Sequence, residues 1–300
     1  MSRFAAGVDI GGTSVKTGLF DEQLELVHNC TAVGTSSIRS ADDMITRLLA
    51  AIETGLGEIG SNLGELAGVG IGSPGPLDIP GGKVVEAPNT PFLNGYPLTE
   101  AFSKAAGVPV WLDNDANVFV LGEALRGAGK GYDYVLGVTL GTGFGWGIVL
   151  DGSVYHGATG TAAEYGLSVW REEGHSWEDD VSIRGLMRVF HEKGGTAESP
   201  EEVNDLAAGG DEVALAAWRE YGRVLGLSLS HGVNLIDPHV VVVGGAMAGA
   251  WDHFSPAMLE TLRANIFTLP RERLKVVPSE LGGLAALYGA ASQVSFEEAS

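Results

Sequence analysis

The amino-acid sequence predicts an α/β chain folded into two lobes that face each other across a cleft. The chain has 300 residues, enough for about two domains, and 45% of them are hydrophobic, enough for packed cores. A strand, a glycine turn and a returning strand occur at residues 4–20 and again at residues 134–150. Helices and short apolar strands follow each of these hairpins, so the order of elements indicates an internal duplication.

The first copy contains short apolar runs bounded by glycine or turn residues, and helical spacing of apolar residues between them. Strands are predicted at residues 4–10, 15–20, 24–33, 68–72 and 108–112, and helices at residues 41–56 and 116–126. The strand at 68–72 ends in SPGPLD, a loop sequence.

The second copy shows the same pattern of short apolar runs and helical spacing. Strands are predicted at residues 134–138, 146–150, 240–243 and 274–277, and helices at residues 182–193, 201–207, 211–235, 255–263 and 282–291. We expect residues 1–112 to form an N-terminal lobe, completed by a C-terminal helix over residues 283–300. Residues 113–282 then form the C-terminal lobe.

The charge of the chain excludes several classes of partner. With 38 acidic and 18 basic residues the net charge is −20, which disfavours nucleic acid, anionic membrane surfaces and long polyanions. The one cysteine, Cys30, allows neither an intramolecular disulfide nor a cysteine-cluster zinc site. The N-terminus lacks the apolar core of a secretory signal, and no apolar run is long enough to span a membrane. We expect a cytoplasmic protein.

Three glycine turns follow predicted strands and are suited to binding phosphate. In VDIGGTSVK, Asp9 ends a strand and a Gly-Gly-Thr turn follows; glycines let backbone amides approach an anion closely. The alternative interpretation is an ordinary hairpin turn capped by an aspartate. LGTGFGWG repeats the turn, and Gly244-Gly245 follows the buried run VVVV, where nucleotides dock in α/β sheets. None fits the Walker pattern, but together the three turns favour a nucleotide site.

The motifs, taken in order, resemble one family. DIGGT, SPGPLD, APN, DNDANVFVLGE, LGTGFGWGIVLDGSVYHG and VVVGG run from the N-terminus to residue 245, and the chain as a whole resembles the ROK family of sugar kinases and repressors. The resemblance implies the actin-like, ribonuclease-H-like ATPase fold, with two lobes closing on a sugar and on ATP with Mg²⁺. Repressors of the family carry a helix-turn-helix domain ahead of this part. Because DIGGT begins at Asp9, we expect no such domain here.

The resemblance also implies roles for individual residues. Asp115 is the catalytic base that accepts the proton of the sugar hydroxyl, as phosphoryl transfer requires. The sugar-binding residues are Asn89, Asn114, Glu164 and Glu178. Either Asn114 or Asp115 is alternatively just the N-cap of the following helix, and Asn89 an Asx turn. The residues implied to bind the nucleotide are Asp9, Gly11, Gly12, Thr13, Lys16, Gly141, Thr142, Gly143, Gly244 and Gly245. Asp9 also binds Mg²⁺, through water.

The sequence departs from the family pattern after Glu164. Where the family has a histidine followed by a cysteine cluster that binds zinc, this chain has Leu167 and no cysteine. The resemblance therefore implies a site without zinc, in which Trp170 and Trp177 are candidates to replace the metal by burying aromatic area; a surface or dimer contact is the alternative. His175 is interpreted as a loop residue. The remaining acidic residues, Glu172, Glu173, Asp179 and Asp180, match nothing in the family pattern and are interpreted as solvated charge.

The resulting hypothesis is an ATP- and Mg²⁺-dependent kinase that phosphorylates a hexose at O6, with glucose the favoured substrate. Mannose, fructose or an N-acetylhexosamine are alternative substrates. Polyphosphate is an alternative donor, because some zinc-free relatives use it; Arg126, Lys130, Arg184 and Arg188 are the candidate basic track. A non-catalytic sugar or nucleotide sensor is the alternative from another class. The family resemblance also suggests a homodimer.

Overall fold

The computed structural model describes residues 3–296, which form two β-sheets flanked by helices. The strands are β1 Phe4–Ile10, β2 Ser14–Phe20, β3 Leu26–Asn29, β4 Val33–Gly34, β5 Leu66–Ser73, β6 Leu77–Asp78, β7 Lys83–Val84, β8 Val110–Asn114, β9 Tyr134–Leu140, β10 Phe144–Leu150, β11 Ser153–Val154, β12 Val240–Gly244 and β13 Lys275–Pro278. The helices are α1 Ala41–Glu58, α2 Leu98–Ala106, α3 Asp115–Arg126, α4 Trp177–Asp180, α5 Ile183–Glu192, α6 Pro200–Ala208, α7 Glu212–Ile236, α8 Trp251–Asn265, α9 Thr268–Arg273 and α10 Ala285–Ala291.

The two large sheets share one strand order. The first runs β3-β2-β1-β5-β8, with β4 also paired to β2, and the second runs β11-β10-β9-β12-β13. In each sheet a hairpin supplies the antiparallel pair, β1 with β2 and β9 with β10, and the last three strands of each path are parallel. The glycine turns that the sequence indicated therefore occupy equivalent places in the two sheets.

Helices cover the buried strands on both sides. Strand β5 is buried along its whole length, as its unbroken small and apolar sequence LAGVGIGS requires of a strand with both faces covered. Helices α7 and α8 pack against each other in the second half, where Trp218, Tyr221 and Phe254 lie in the core. Met44, Leu48 and Ile52 of α1 are buried in the core of the first half.

The last helix joins the two halves. Helix α10 packs on β1, β2 and β5 of the first sheet and on α3, which itself packs on β9 and β10 of the second. Gly289 of α10 and Gly122 of α3 permit this close crossing: a Cβ on Gly289 would overlap the carbonyl oxygen of Val118, and one on Gly122 that of Ala285. Any larger residue at either position would push the two helices apart.

Several boundaries differ from the sequence prediction. The strand predicted at residues 24–33 is two strands, β3 and β4, interrupted at residues 30–32, and the first begins only at Leu26, after Leu24 with its φ of 57°. Helix α2 was not predicted. The C-terminal helix predicted at residues 283–300 is short: α10 ends at Ala291, and residues 297–300 lie outside the described part. Strand β8 extends to Asn114, two residues beyond the predicted lobe boundary.

Within residues 3–296, no helix combines the length and the apolar composition that a membrane span requires.

Candidate active site

The candidate site lies at the carboxyl edge of the parallel strands of the first sheet. Asp9 of β1 pairs with Gly72 of β5, and Gly72 pairs with Asp113 of β8, so the two aspartates lie in one row of the sheet, two strands apart. Asp115 follows as the first residue of α3. Ligands of α/β sheets bind at this edge, beyond the carboxyl ends of the strands.

The carboxyl group of Asp115 has an unusual environment. Burial is the main reason that its pKa rises to about 6, and the nearby negative charges of Asp9 and Glu164 raise it further. The backbone amide of Ala116 donates a hydrogen bond of 2.8 Å to its Oδ1, which opposes the rise. A carboxylate with a pKa brought close to neutrality is suited to accepting a proton.

Asp9 faces Lys16 across the hairpin, since the two residues are partners in the β1–β2 register. Burial raises the pKa of Asp9, and the positive charge of Lys16 partly offsets that rise. Lys16 also reaches toward the C-terminal segment, because a Cβ on Gly283 would lie 3.4 Å from its Nζ. Asp9 therefore has one cation beside it and the carboxylate of Asp115 close enough to interact.

Asn114 is the N-cap of α3. Its Oδ1 accepts a hydrogen bond of 2.9 Å from the amide of Ala116, which occupies the oxygen and leaves the side-chain amide to contact a ligand. The sequence left open which of two residues caps the helix, and the structure gives this position to Asn114. The neighbouring Asp113 is buried and its carboxylate is hydrogen-bonded to protein groups, so it is not available to a substrate.

The backbone of Phe144 brings the two predicted sugar carboxylates together. Its amide donates a hydrogen bond of 3.0 Å to Oε2 of Glu178, and its carbonyl touches Gly166, where a Cβ would overlap. Gly166 belongs to the short 3₁₀ turn Glu164–Leu167. Burial raises the pKa of Glu164, and the charge of Glu178 adds to the effect, which places the two carboxylates within interaction range. They lie 14 positions apart in sequence.

The predicted nucleotide turns fall into two places. Gly244 pairs with Thr139, and Gly245, with a φ of 86°, lies directly against the backbone of Leu140, so this Gly-Gly pair adjoins the turn that begins at Gly141. Thr142 is exposed at that turn, and Gly143 lies against the carboxylate of Glu178.

The first turn is at the hairpin of the other sheet. Gly12 and Thr13 are exposed, and the amide of Gly11 donates a hydrogen bond of 3.0 Å to the carbonyl of Ser14. A Cβ on Gly12 would lie 3.3 Å from the Cβ of Asn89, so the turn and the predicted sugar-contacting asparagine are neighbours.

The segment that replaces the family's cysteine cluster is held by aromatic and charged side chains. Trp170 and Trp177 stack with their rings 4.2 Å apart, and the guanidinium of Arg171 lies 4.1 Å from the centroid of the Trp170 ring. Asp180 is buried, and Nε2 of His175 lies 3.1 Å from its Oδ1. Arg188 donates a hydrogen bond to the same oxygen. His175 lies in a loop, as expected, and its ring faces the carboxylate of Asp180. Sequence reasoning treated Asp180 as solvated charge, and its burial shows that this was wrong.

Leu167, which stands where the family has a histidine, is 60% exposed. It follows Glu164 by three residues in the same 3₁₀ turn, so an apolar side chain lies open to solvent beside the candidate sugar site. A cavity of about 570 Å³ lies elsewhere, between α5 and α7, and is lined by residues that include Arg188, Lys193 and Tyr221. That cavity is separate from Asp115.

Within residues 3–296, no group of three or more histidine, cysteine, aspartate or glutamate side chains has the arrangement of a metal site. A divalent cation at Asp9 would thus need further ligands from a bound phosphate or from water.

Comparisons with known proteins agree with this geometry. The family model described as "ROK family" matches residues 5–296. A glucokinase of Thermotoga maritima is 32% identical over 95% of each chain, and an N-acetyl-D-glucosamine kinase of Photobacterium profundum is 31% identical over 81% of this chain and 84% of its own. The crystal structure of a ROK family glucokinase from Streptomyces griseus, in complex with glucose and AMPPNP, has a TM-score of 0.82 at 30% identity, covering 97% of this chain and 99% of that one.

The two sheets of like strand order and the likeness to solved sugar-kinase structures identify a kinase with the actin-like ATPase fold. The chain belongs to the ROK family, and it is a sugar kinase. The fold class and the family that the sequence predicted are confirmed.

Proposed function

We propose that this sugar kinase transfers the γ-phosphoryl group of ATP to O6 of a hexose, most readily glucose, with Asp115 as the catalytic base. One observation carries the proposal: the Asp115 carboxylate, with its pKa raised to about 6, interacts with Asp9 on the side of the phosphate turn and with Glu164 on the side of the sugar carboxylates. A base between those two groups is where a hydroxyl must meet a phosphoryl donor.

Asp115 accepts the proton of the 6-hydroxyl as the oxygen forms its bond to phosphorus. Because burial and two neighbouring carboxylates disfavour the ionised form, the raised pKa makes Asp115 a better proton acceptor than an exposed aspartate.

Asn114, Asn89, Glu164 and Glu178 orient the sugar. An ionised carboxylate accepts short, strong hydrogen bonds from hydroxyl groups, so the pair at Glu164 and Glu178 suits a polyhydroxylated ring. The oxygen of Asn114 is already used in capping α3, so its amide nitrogen is the contact that remains for the substrate. Gly12 beside Asn89 links the sugar side of the site to the phosphate turn.

The phosphate side has residues that fit both Mg²⁺ and the donor. Asp9 is an oxygen ligand of the kind Mg²⁺ prefers, and its proximity to the carboxylate of Asp115 leaves a surplus of negative charge that a divalent cation would balance. When bound, Mg²⁺ would neutralise charge on the phosphate oxygens of the donor. The turns at Gly11, Gly12 and Thr13, at Gly141, Thr142 and Gly143, and at Gly244 and Gly245 are the proposed binding places for the nucleotide.

ATP is favoured over polyphosphate because the candidate basic track is largely neutralised. Arg126 pairs with Glu25, Arg184 with Asp179, and Arg188 with Asp180. Paired guanidinium groups offer little net field to a long polyanion, and the whole chain has a net charge of −20.

A coupled assay tests the proposal. Purified protein with Mg²⁺ is offered glucose, mannose, fructose, N-acetylglucosamine and N-acetylmannosamine in turn, with ATP and then with polyphosphate. The expected result is turnover that is greatest with glucose and ATP. Absence of sugar-dependent ADP release with every hexose would contradict catalysis and favour a sensor. Light scattering on the same sample tests the expected homodimer.

A further inference from the structure

The carboxylate of Asp113 connects the two halves of the candidate site. Asp113 ends β8, two residues before Asp115, and only 4% of its side chain is exposed. Its Oδ1 accepts hydrogen bonds from the amide of Asn114 at 2.7 Å and from Nδ2 of Asn117 at 2.8 Å, both within the same strand–helix junction. Its Oδ2 lies 2.7 Å from Nε2 of His156, which comes from the other half of the chain.

His156 follows β11 and begins the loop that leads to Glu164. Its carbonyl accepts a hydrogen bond of 3.1 Å from the amide of Ala162, which closes the loop on itself. Gly157, with a φ of 68°, packs against Ala162, since a Cβ on this glycine would lie 3.0 Å from the Cβ of Ala162. Glu164 is two residues further along.

His156 is thus hydrogen-bonded both to the strand–helix junction that carries Asp115 and to the loop that leads to Glu164. The ring of His156 binds the residue two positions before the base, and its carbonyl binds the residue two positions before the first sugar carboxylate. We propose that His156 is a positioning residue, which through Asp113 fixes the sugar carboxylate Glu164 relative to the base Asp115. The proposal rests on the function given above, because it assumes that these two carboxylates act on the hexose and its hydroxyl.

The physical basis is the cost of leaving a buried carboxylate without a partner. Among the described residues, His156 is the ion-pair partner that the structure gives to Asp113. Without the ring, the buried Oδ2 loses its donor, and the penalty for an unsatisfied buried charge drives the junction to rearrange or admit water. Because small displacements of reacting groups lower the rate strongly, a shift of Glu164 relative to Asp115 is expected to weaken hexose binding and to slow phosphoryl transfer.

The test compares His156→Ala with His156→Gln, which keeps a side-chain donor near the same place. His28→Ala is the control for removing a histidine that contacts a carboxylate away from the site, because His28 lies 3.5 Å from the exposed carboxylate of Glu58 on α1. KM for glucose, KM for ATP and kcat are measured for each, together with Tm. If another hexose is preferred in the panel assay, that hexose replaces glucose.

The expected result for His156→Ala is a rise of about fivefold or more in KM for the hexose and a fall of about tenfold or more in kcat/KM, with KM for ATP changed less than twofold. His156→Gln is expected to recover a large part of the loss, and His28→Ala to match the wild type. Asp113→Asn is expected to add little to His156→Ala, because the two residues share one interaction.

Two results would overturn the inference. One is hexose kinetics for His156→Ala within twofold of the wild type. The other is an equal loss toward hexose and ATP in both His156 variants, accompanied by a lowered Tm, since that marks a merely structural residue. A wild-type protein that phosphorylates no hexose would instead remove the proposed function. Full turnover of Asp115→Asn would remove the base assignment, whatever His156 does.

Discussion

The indole rings of Trp170 and Trp177 are stacked, with 4.2 Å between their centroids and 8° between their planes. A single antiparallel bridge between Val169 and Ser176 brings the two tryptophans side by side. Trp177 is fully buried and is the first residue of α4, whose second residue is Glu178. The stack, here called the tryptophan clamp (Trp170 and Trp177), therefore holds the segment that presents one of the two sugar carboxylates.

Trp177→Ala is expected to lower the free energy of unfolding by about 3–5 kcal/mol, the usual cost of removing a large buried aromatic side chain. It is also expected to raise KM for the hexose, because Glu178 follows directly in the chain. Urea unfolding and steady-state kinetics measure the two effects. Trp170→Phe keeps an aromatic ring against Trp177 and serves as the control, with an expected loss of less than about 2 kcal/mol. Equal losses for both variants would contradict a role for stacking.

The buried ion pair between Arg188 and Asp180 is expected to contribute strongly to stability. Burial alone would raise the pKa of Asp180, but hydrogen bonds from Arg188 and His175 and the charge of Arg171 lower it below its ordinary value. Arg188→Met removes one of these partners and leaves the carboxylate buried, so the free energy of unfolding at pH 7 is expected to fall by about 2–4 kcal/mol. Chemical denaturation at pH 7 measures it.

The control for this variant is Arg184→Met. Arg184 pairs with Asp179 in a far more exposed position, so its removal is expected to cost less than about 1 kcal/mol. The pH dependence has a definite sign. Because the folded-state pKa of Asp180 is lowered, its contribution is present above the unfolded value of 3.8 and is lost as pH falls through the lower folded value. The wild type and Arg188→Met should therefore converge in stability only when pH falls through the folded pKa of Asp180, which lies below 3.8; a gap that persists once Asp180 is protonated would contradict the assignment.

The raised pKa of Asp115 predicts how kcat/KM depends on pH. It also predicts that replacing Asp115 lowers activity but raises stability. Only the ionised base accepts a proton, so kcat/KM is expected to fall as pH drops through about 6, the value for the free enzyme. Asp115→Asn is expected to lower kcat by about 10²-fold or more.

The same substitution is expected to stabilise the fold. An aspartate whose pKa is raised on folding destabilises the protein once pH exceeds the unfolded value of 3.8, and fully so above about 6. At about 1.4 kcal/mol per pH unit, the gain at pH 7 for Asp115→Asn is at most about 3 kcal/mol. Thermal unfolding at pH 7 and at pH 4 checks this, since the difference between the two proteins should nearly vanish at the lower pH. A less stable Asp115→Asn at pH 7 would contradict it.

Much of the fold was predictable because local patterns encode it. The hairpins carry glycine turns between apolar strands, and β12 is a run of valines that only a buried strand accommodates. Helix α2 was missed because it has only nine residues, LTEAFSKAA, and follows directly after Pro97 without a side-chain cap. The late start of β3 at Leu26 follows the left-handed backbone of Leu24, a conformation that no pattern of side chains reveals.

The site was predictable only in part, since its members meet through long-range contacts. Periodicity places Asp9 and Asp115 at strand ends, and parallel pairing then brings them to one edge. The contact of Glu178 with the backbone of Phe144 depends on how the chain folds back over 34 positions, and only the family resemblance pointed to Glu178. His156 lies within the quoted motif LGTGFGWGIVLDGSVYHG, but no role could be assigned to it from the sequence, because its partner Asp113 is 43 positions away and belongs to the other half of the chain.

Leu167 is the position where a single change is expected to improve the enzyme. Its side chain is 60% exposed in the 3₁₀ turn that carries Glu164, so an apolar group lies open to solvent next to the proposed sugar site. Leu167→His adds a ring that can hydrogen-bond a sugar hydroxyl, and a net hydrogen bond of about 1 kcal/mol corresponds to roughly a fivefold lower KM for the hexose. Burial changes little at an exposed site, so stability should stay within about 0.5 kcal/mol.

Val169→His is the matched control for that change, because Val169 is 61% exposed and lies two residues further along, outside the 3₁₀ turn that carries Glu164. It should leave KM for the hexose unchanged, which separates a specific contact from a general effect of adding a histidine to this surface. Because the added contact acts on the bound sugar and in the transition state alike, kcat should be unaffected while KM falls. An unchanged KM in Leu167→His would show that the side chain at position 167 does not contact the sugar. Glu164 would then be the one residue of this turn that binds it.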